Sequence, residues 1–98
     1  MIVEELRDYL ADVCEDAVLF DNPSFDKSIV GITDFGGLVY NYDMMVEEYT
    51  TDNNCSYEES SDFISYNTIR TIPYIESEGV APTIIYPIER GDFFATED

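Results

Sequence analysis

The chain has 98 residues, and its 22 Asp and Glu face only 4 Lys and Arg, which gives a formal net charge of −18. Neither a nucleic-acid backbone nor an anionic membrane binds such a surface, because both require clustered cations. The absence of His removes the usual general base and the commonest transition-metal ligand, while a hydrophobic content of 45% is sufficient for a folded core.

The first predicted element is an amphipathic helix over residues 2–13. Its apolar residues recur at intervals of three and four, which is the spacing of one buried helix face. On the other side, carboxylates follow each other at intervals of four, four and three residues: Glu4, Asp8, Asp12 and Glu15. The apolar run at residues 17–20 indicates a short strand, and residues 21–24 have the composition of a turn.

A β-hairpin is predicted next. Two β-rich runs, residues 28–33 and 38–42, flank residues 34–37, which end in two glycines. Paired glycines at this position supply the positive φ angles that a tight connection between antiparallel strands demands. Tyr40 and Tyr42 are expected on one face of the second strand.

Two helices are predicted after the hairpin. The first runs over about residues 44–51, with Asp43 as its N-cap, and ends at residues 52–54. Its candidate buried residues are Met45, Val46 and Tyr49. The second helix runs over about residues 57–68, begins at a capping box made by Ser56 and Glu59, and has to end before Pro73. Its candidate buried residues are Phe63, Ile64 and Asn67.

Residues 83–86 indicate the last strand. The order of these elements predicts an α+β domain over residues 1–90. In it, about three helices pack on a small, mainly antiparallel sheet made of the hairpin and one or two further strands. Residues 91–98 are expected to form a flexible acidic tail.

About half of the chain resembles a group of short, uncharacterised acidic proteins of gut Firmicutes and their phages or other mobile elements. The residues that carry the resemblance are Val39-Tyr40-Asn41-Tyr42, Met45-Val46-Glu47-Glu48, Tyr66-Asn67-Thr68-Ile69-Arg70-Thr71-Ile72-Pro73-Tyr74 and Pro82-Thr83-Ile84-Ile85-Tyr86. The resemblance implies a mobile-element setting and no activity. Small acidic proteins of that setting include DNA mimics such as anti-CRISPR and anti-restriction inhibitors, which is an analogy of size and charge.

The acidic excess is the strongest functional signal in the sequence. For the first helix alone, an ordinary solvated face is the favoured interpretation. A net charge of about 2 to 8 is enough to keep a small domain soluble, however, so the excess along the whole chain predicts a surface for a cationic partner. The predicted partner-binding residues are Glu4, Asp8, Asp12, Glu15, Glu47, Glu48, Glu58, Glu59 and Asp62.

Other candidate sites have simpler interpretations. Arg70 can anchor a carboxylate through its planar fork, but the favoured interpretation is structural: Asn67 and Thr68 satisfy a helix end while Arg70 holds acidic neighbours together and Pro73 stops the helix. Most of the eight tyrosines are expected in the core. One or two exposed tyrosines beside the acidic face would resemble a binding hot spot.

No metal ion or other cofactor is predicted. The set Asp21, Asn22 and Asp26 offers oxygen ligands without the alternation of a calcium loop. The run from Asp52 begins with that alternation but continues with Tyr57 and Phe63 in place of the required Gly and Glu. The tripeptide Asp34-Phe35-Gly36 matches a kinase motif by coincidence, and Cys14 and Cys55 are expected to be reduced thiols.

The sequence therefore predicts a cytoplasmic binding protein without enzymatic activity. The N-terminus is acidic where a signal peptide is basic, and no run approaches the roughly 20 apolar residues of a membrane span. The leading hypothesis is a DNA-mimic inhibitor whose acidic surface blocks the basic groove of a nucleic-acid-binding host protein. The alternative is a structural or adaptor module that self-associates through its sheet edge or tyrosines. A carboxylate-metal hydrolase is disfavoured because the spacing identifies no paired carboxylates.

Overall fold

The computed structural model describes residues 3–20, 23–75 and 79–88. They form an α+β fold in which helices pack on a three-stranded sheet, and this class confirms the prediction. Helix α1 spans Val3–Val13, and its first turn contains Glu4 and Glu5, whose charges favour the positive end of the helix dipole. Leu10 anchors the apolar side of α1 in the core, where it is 3% exposed.

Residues 17–20 do not form the predicted strand. After α1 the chain turns, and the Ala17 N–H donates to the Cys14 carbonyl at 3.1 Å. One isolated parallel bridge joins Ala17 to Val80, and the Val18 N–H donates to the Val80 carbonyl at 2.9 Å. The apolar run reflects burial of Phe20 in the core, 7% exposed, rather than membership of the sheet. Of the turn predicted next, residues 21 and 22 lie outside the described ranges.

The predicted hairpin is present. Strands β1 (Ile29–Ile32) and β2 (Leu38–Asn41) pair antiparallel. The two glycines of the connection have different physical roles. Gly36 has a φ of 84°, a left-handed conformation that favours glycine. Gly37 instead permits a close approach, because an added Cβ would lie 2.9 Å from Cγ1 of Val80.

Strand β3 (Thr83–Ile85) is the predicted last strand, and it lies beside β2 in the order β1-β2-β3. Its pairing with β2 is parallel, with Tyr40 opposite Ile84. The sheet is therefore mixed, with one antiparallel and one parallel pair, rather than mainly antiparallel. A parallel pair requires a long crossover, which the helices between β2 and β3 supply.

Helix α2 spans Tyr42–Asn53 and begins earlier than predicted. Its N-cap is Asn41 rather than Asp43, because the Asn41 Oδ1 accepts a hydrogen bond from the Met44 N–H at 3.1 Å. Tyr42 consequently lies in the first turn of the helix and does not share a strand face with Tyr40. The helix ends at Asn53, within the predicted break at residues 52–54, and its C-cap Asn54 has a left-handed φ of 50°.

Helix α3 spans Tyr57–Phe63 and begins at the predicted cap, where the Ser56 Oγ accepts from the Glu59 N–H at 3.1 Å. The helical path then continues through a π turn and a 3₁₀ turn into the short helix α4 (Ile72–Ile75). Helix α3 itself ends before Pro73 as predicted, at Phe63 rather than near residue 68, but the chain stays helical past the proline. Pro73 is the second residue of α4, where its missing N–H has no helical partner to lose.

Among the described residues, the buried hydrophobic core consists of Leu10, Cys14, Phe20, Phe25, Leu38, Tyr40, Met45, Val46 and Ile64. Met45, Val46 and Ile64 confirm the predicted burial, whereas Asn67 is exposed. Phe25 is 1% exposed and has a left-handed φ of 54°, a conformation that costs energy for a bulky residue and is maintained here by its packing. The predicted tail, residues 91–98, lies outside the described ranges.

Candidate partner-binding surface

The predicted carboxylate row of α1 lies on the solvent side of the helix. At about 100° per residue, Glu4, Asp8 and Asp12 fall within an arc of about 80°, and all three side chains are exposed. Leu10 lies on the opposite side of the helix and is buried. Glu15 is exposed but does not extend the row, because α1 ends at Val13 and Glu15 occupies the following turn. We call Glu4, Asp8 and Asp12 the α1 acidic row.

An ion pair fixes α1 to the rest of the fold. The Arg7 Nε lies 2.5 Å from the Asp26 Oδ2, and the Arg7 Nη2 lies 3.0 Å from Oδ1, so the contact is bidentate. The Asp26 side chain is 5% exposed and the Arg7 side chain 41%. Asp26, weighed above as a cation ligand, is therefore an ion-pair partner, and no group of three metal-ligating side chains occurs in the described part of the chain.

The two predicted residues of α2 have different environments. Glu47 is exposed, whereas Glu48 is half-buried and accepts a hydrogen bond from the buried Ser28 Oγ at 3.0 Å. Burial raises the pKa of the Glu48 carboxyl above its usual value, and the hydrogen bond from Ser28 opposes that rise. Glu48 therefore has a packing role that sets it apart from the other predicted partner-binding residues.

The three predicted residues of α3 point to solvent together. Glu58, Glu59 and Asp62 are all exposed, and helical geometry places them within an arc of about 100°. Tyr57 precedes them and is 62% exposed. We call Glu58, Glu59 and Asp62 the α3 acidic row.

Side-chain hydrogen bonds and a ring pair hold α2 and α3 together. The hydroxyls of Tyr42 and Ser61 lie 2.5 Å apart, and those of Thr50 and Ser60 lie 2.6 Å apart. The rings of Tyr49 and Phe63 stack with centroids 4.4 Å apart. The acidic side chains of both helices therefore stand on one fixed platform, since neither helix can shift without breaking these contacts.

Two grooves flank α2. A groove of about 280 Å³ on one side is lined by Lys27, Met44, Glu47, Glu48, Thr51 and Asp52. A second groove, of about 330 Å³, is lined by Asp43, Val46, Glu47, Thr50, Thr51 and Tyr57, and we call it the α2–α3 groove. Glu47 is the acidic residue that lines both of these grooves.

The described cations do little to neutralise this surface. Arg7 is paired with Asp26, and the Arg70 guanidinium lies 5.6 Å from the centroid of the Tyr66 ring and forms no ion pair with a described residue. Lys27 is exposed beside α2. Every acidic side chain in the described ranges is exposed except Asp26 and Glu48. The potential around the described surface is therefore negative on α1, α2 and α3.

The tyrosines do not follow the prediction that most lie in the core. Tyr40 alone among them is buried, and its hydroxyl accepts from the Phe20 N–H at 3.3 Å. Burial raises the pKa of Tyr40 to about 12. Tyr42 and Tyr49 are half-buried. The tyrosines whose side chains are at least half exposed are Tyr9, Tyr57, Tyr66, Tyr74 and Tyr86. Of these, Tyr9 follows Asp8 on α1 and Tyr57 precedes Glu58 on α3, so both lie beside predicted acidic residues.

Sequence reasoning missed the two polar contacts that position the acidic helices, Arg7 with Asp26 and Ser28 with Glu48. One local signal was available for the first contact. Arg7 lies between Leu6 and Leu10, on the border of the apolar face of α1, where a cation meets the body of the fold rather than open solvent. No local signal marks Ser28, because its burial results from the packing of the Asp26–Ser28 turn against α2.

Comparison with protein-family models, with curated proteins and with solved structures finds no match for this chain. In the ranges that the structure describes, no helix is both long enough and apolar enough to cross a lipid bilayer.

Proposed function

We propose that this protein is a DNA-mimic inhibitor that occupies the basic groove of a nucleic-acid-binding host protein and blocks its substrate, as anti-CRISPR and anti-restriction inhibitors do. One observation carries the proposal: apart from Glu48, the carboxylates of α1, α2 and α3 are exposed on an anchored scaffold, while Arg7 and Arg70 are engaged by their own neighbours. A surface of one sign attracts a partner of the other and speeds their encounter. No catalysis is required of such a protein.

Charge density supports a surface made of more than one helix. The α1 acidic row carries one charge per four residues, which is about one per 6 Å of helix. A DNA strand carries one charge per about 3.4 Å. One row therefore matches only about half the charge density of a strand. We propose that the α1 acidic row, the α3 acidic row and Glu47 act together, with Glu15 at the edge.

The proposed target class gives the protein a cytoplasmic site of action, since the nucleic acid that such targets bind is found there. The resemblance of residues 37–86 to proteins of phages and mobile elements agrees with this setting. Within the same proposal the protein does not itself bind nucleic acid, because no described surface gathers the cations that phosphate binding requires.

The test begins with immobilised protein and a lysate of the native host at low salt, followed by a salt gradient and identification of the eluted proteins. Each captured nucleic-acid-binding protein is then purified and presented with labelled nucleic acid in the presence of the inhibitor. We expect competition, with an affinity that falls steeply between about 50 and 200 mM salt. A captured protein that binds nucleic acid and this chain simultaneously would contradict the proposal.

Matched variants separate a shaped surface from general acidity. Asp8→Asn with Asp12→Asn removes two charges from the α1 acidic row. Asp16→Asn with Asp34→Asn removes two exposed charges from turns outside the helices. We expect the first pair to weaken competition more than the second and to reduce the salt dependence. Equal effects of the two pairs would show that the partner senses only net charge.

The sheet edge supports a second candidate, a self-associating adaptor. Strand β1 is at one end of the sheet order, and among described residues it pairs with β2 alone. Val30 and Ile32 of this strand are 48% and 41% exposed, and Phe35 in the following turn is 70% exposed. An exposed apolar edge strand is a template for strand pairing. This function predicts an oligomer in light scattering that Ile32→Lys dissociates and that Asp8→Asn with Asp12→Asn leaves intact.

A further inference from the structure

We infer that the α2–α3 groove is a receptor for a single arginine side chain of the cationic partner. The inference rests on the proposed function, because that function supplies the cationic partner to which the arginine belongs. The groove brings together two carboxylates, Asp43 and Glu47, and the exposed ring of Tyr57. Val46 also lines the groove and, at 1% exposed, belongs to the core at that place.

The size of the groove fits one side chain. Its volume is about 330 Å³, at the lower limit of the roughly 300–1,000 Å³ that is typical of small-ligand sites. A docked helix or strand needs a longer apolar surface than these lining residues provide. The geometry therefore points to one inserted group rather than to an extended segment.

The lining chemistry favours a guanidinium. Asp43 and Glu47 are four residues apart on α2, so their Cβ atoms are about 5–6 Å from each other on one side of the helix. A guanidinium presents a planar fork of donors that matches carboxylates, and it stacks on aromatic faces such as that of Tyr57. The lysine ammonium is more strongly hydrated and has no plane to stack. Moving a lysine ammonium from water into a partly apolar groove therefore costs more free energy than moving an arginine guanidinium.

The groove is formed before any partner arrives. Its two walls are linked by hydrogen bonds between Tyr42 and Ser61 and between Thr50 and Ser60, and the lining residue Val46 is packed in the core. Binding therefore does not require these helices to order, and the associated entropic cost is avoided.

The groove of about 280 Å³ on the other side of α2 provides a comparison with the α2–α3 groove. It is also bordered by Glu47, but Lys27 lines it as well. A resident cation repels an incoming guanidinium and satisfies nearby carboxylates. Charge complementarity therefore selects the α2–α3 groove, where no described lining residue is cationic.

The experiment titrates the ¹⁵N-labelled full chain with acetyl-Gly-Arg-Gly-amide and, separately, with the Lys peptide of the same length and charge. We expect the Arg peptide to shift the amide signals of Val46, Thr50 and Tyr57 and to bind several-fold more tightly than the Lys peptide. Equal affinity for the two peptides would overturn the inference. Shifts confined to the α1 acidic row would do so as well.

Paired variants assign the binding to the groove. Tyr57→Leu removes the ring that lines the groove, and Tyr74→Leu removes an 81% exposed ring elsewhere. Glu47→Gln, which changes a lining residue of the groove, and Asp62→Asn, which does not, form a second matched pair because each removes one negative charge. A cation–π contact at an exposed site contributes about 0.5–1 kcal/mol, which is a factor of about two to five in affinity. We therefore expect Tyr57→Leu to lower the affinity for the Arg peptide by about that factor. We expect no weakening by Tyr74→Leu.

The peptide titration needs no natural partner, so the two proposals fail separately. A captured target that competes with nucleic acid but binds the Tyr57→Leu variant like wild type would refute the arginine receptor and leave the inhibitor intact. Arg-peptide binding in the groove, with no basic protein retained from the host, would refute the inhibitor and leave the receptor.

Discussion

The ion pair between Arg7 and Asp26 attaches the α1 acidic row to the fold, and Arg7→Met is the perturbation that tests it. Methionine keeps much of the aliphatic stem but removes both donors, which leaves the Asp26 carboxylate, 5% exposed, without this partner. Removing one member of a fully buried pair costs about 3–5 kcal/mol. The Arg7 side chain is 41% exposed, so water replaces part of the contact. We therefore expect a loss of about 2–3 kcal/mol in the free energy of unfolding.

Urea denaturation measures this loss as a lower midpoint at an unchanged slope. For a domain of about 100 residues, 1 kcal/mol corresponds to about 4–8 °C, so thermal unfolding should occur at least about 8 °C earlier. Lys27→Met is the matched control, because it removes the same charge from an exposed side chain. We expect it to unfold close to wild type.

A double-mutant cycle isolates the pair itself. Asp26→Asn removes the buried charge, so Arg7→Met should cost less in its presence than in wild type. The reasoning is refuted if Arg7→Met unfolds like Lys27→Met, or if the coupling energy between Arg7 and Asp26 is below about 0.5 kcal/mol. The contact would then behave as an ordinary surface ion pair.

Three further predictions concern the platform beneath the acidic surface. Ser60→Ala removes the buried hydroxyl that bonds Thr50, and urea denaturation should show a loss of about 1–3 kcal/mol. Ile64→Ala truncates a side chain with 0% exposure, and thermal unfolding should show a loss of about 2–5 kcal/mol. Because burial raises the pKa of Glu48 above its usual 4.5, the folded state holds that proton more tightly than the unfolded state, and stability falls as the pH rises through a window beginning near 4.5. Glu48→Gln keeps an acceptor for Ser28, so it should stabilise the protein at neutral pH and lose that advantage below pH 4.5.

Elements specified by local pattern were predictable from the sequence. The periodicity of α1, the glycines of the hairpin and the serine cap of α3 each act within a few residues, and the structure has all three. The direction of β3 was not predictable. Its partner Tyr40 is 44 positions away from Ile84 along the chain, and nothing in a three-residue strand indicates whether it runs parallel or antiparallel to that partner.

The predicted element boundaries were wrong where two local signals competed. Asn41 and Asp43 are both good N-caps, and the choice between them depends on where β2 stops pairing with β3, at Asn41 opposite Ile85. Pro73 signals a helix end, but a new helix can begin one residue before it because the preceding turns change from π to 3₁₀ geometry. At Asn41 a tertiary contact decided between two caps that the sequence left equal, and at Pro73 the geometry of the preceding turns decided the outcome.

The exposure of the acidic residues was predictable, because an unpaired carboxylate is rarely buried. The exceptions are the residues whose partners lie far away in sequence. Asp26 lies 19 positions from Arg7, and Glu48 lies 20 positions from Ser28. A charge pattern read along one helix contains no information about such partners, so the residues that position the surface had to come from the structure.

The same carboxylates that are proposed to bind a partner also repel each other within the fold. A net charge of −18 on 98 residues destabilises the compact state, and added salt screens this repulsion. Salt also screens the attraction to a cationic groove. It therefore acts on this molecule with two opposite signs, stabilising the free protein while weakening the complex. If the acidity serves solubility alone, salt stabilises the free protein and there is no complex for it to weaken. Measuring both effects of salt on the same protein therefore separates the two explanations of its charge.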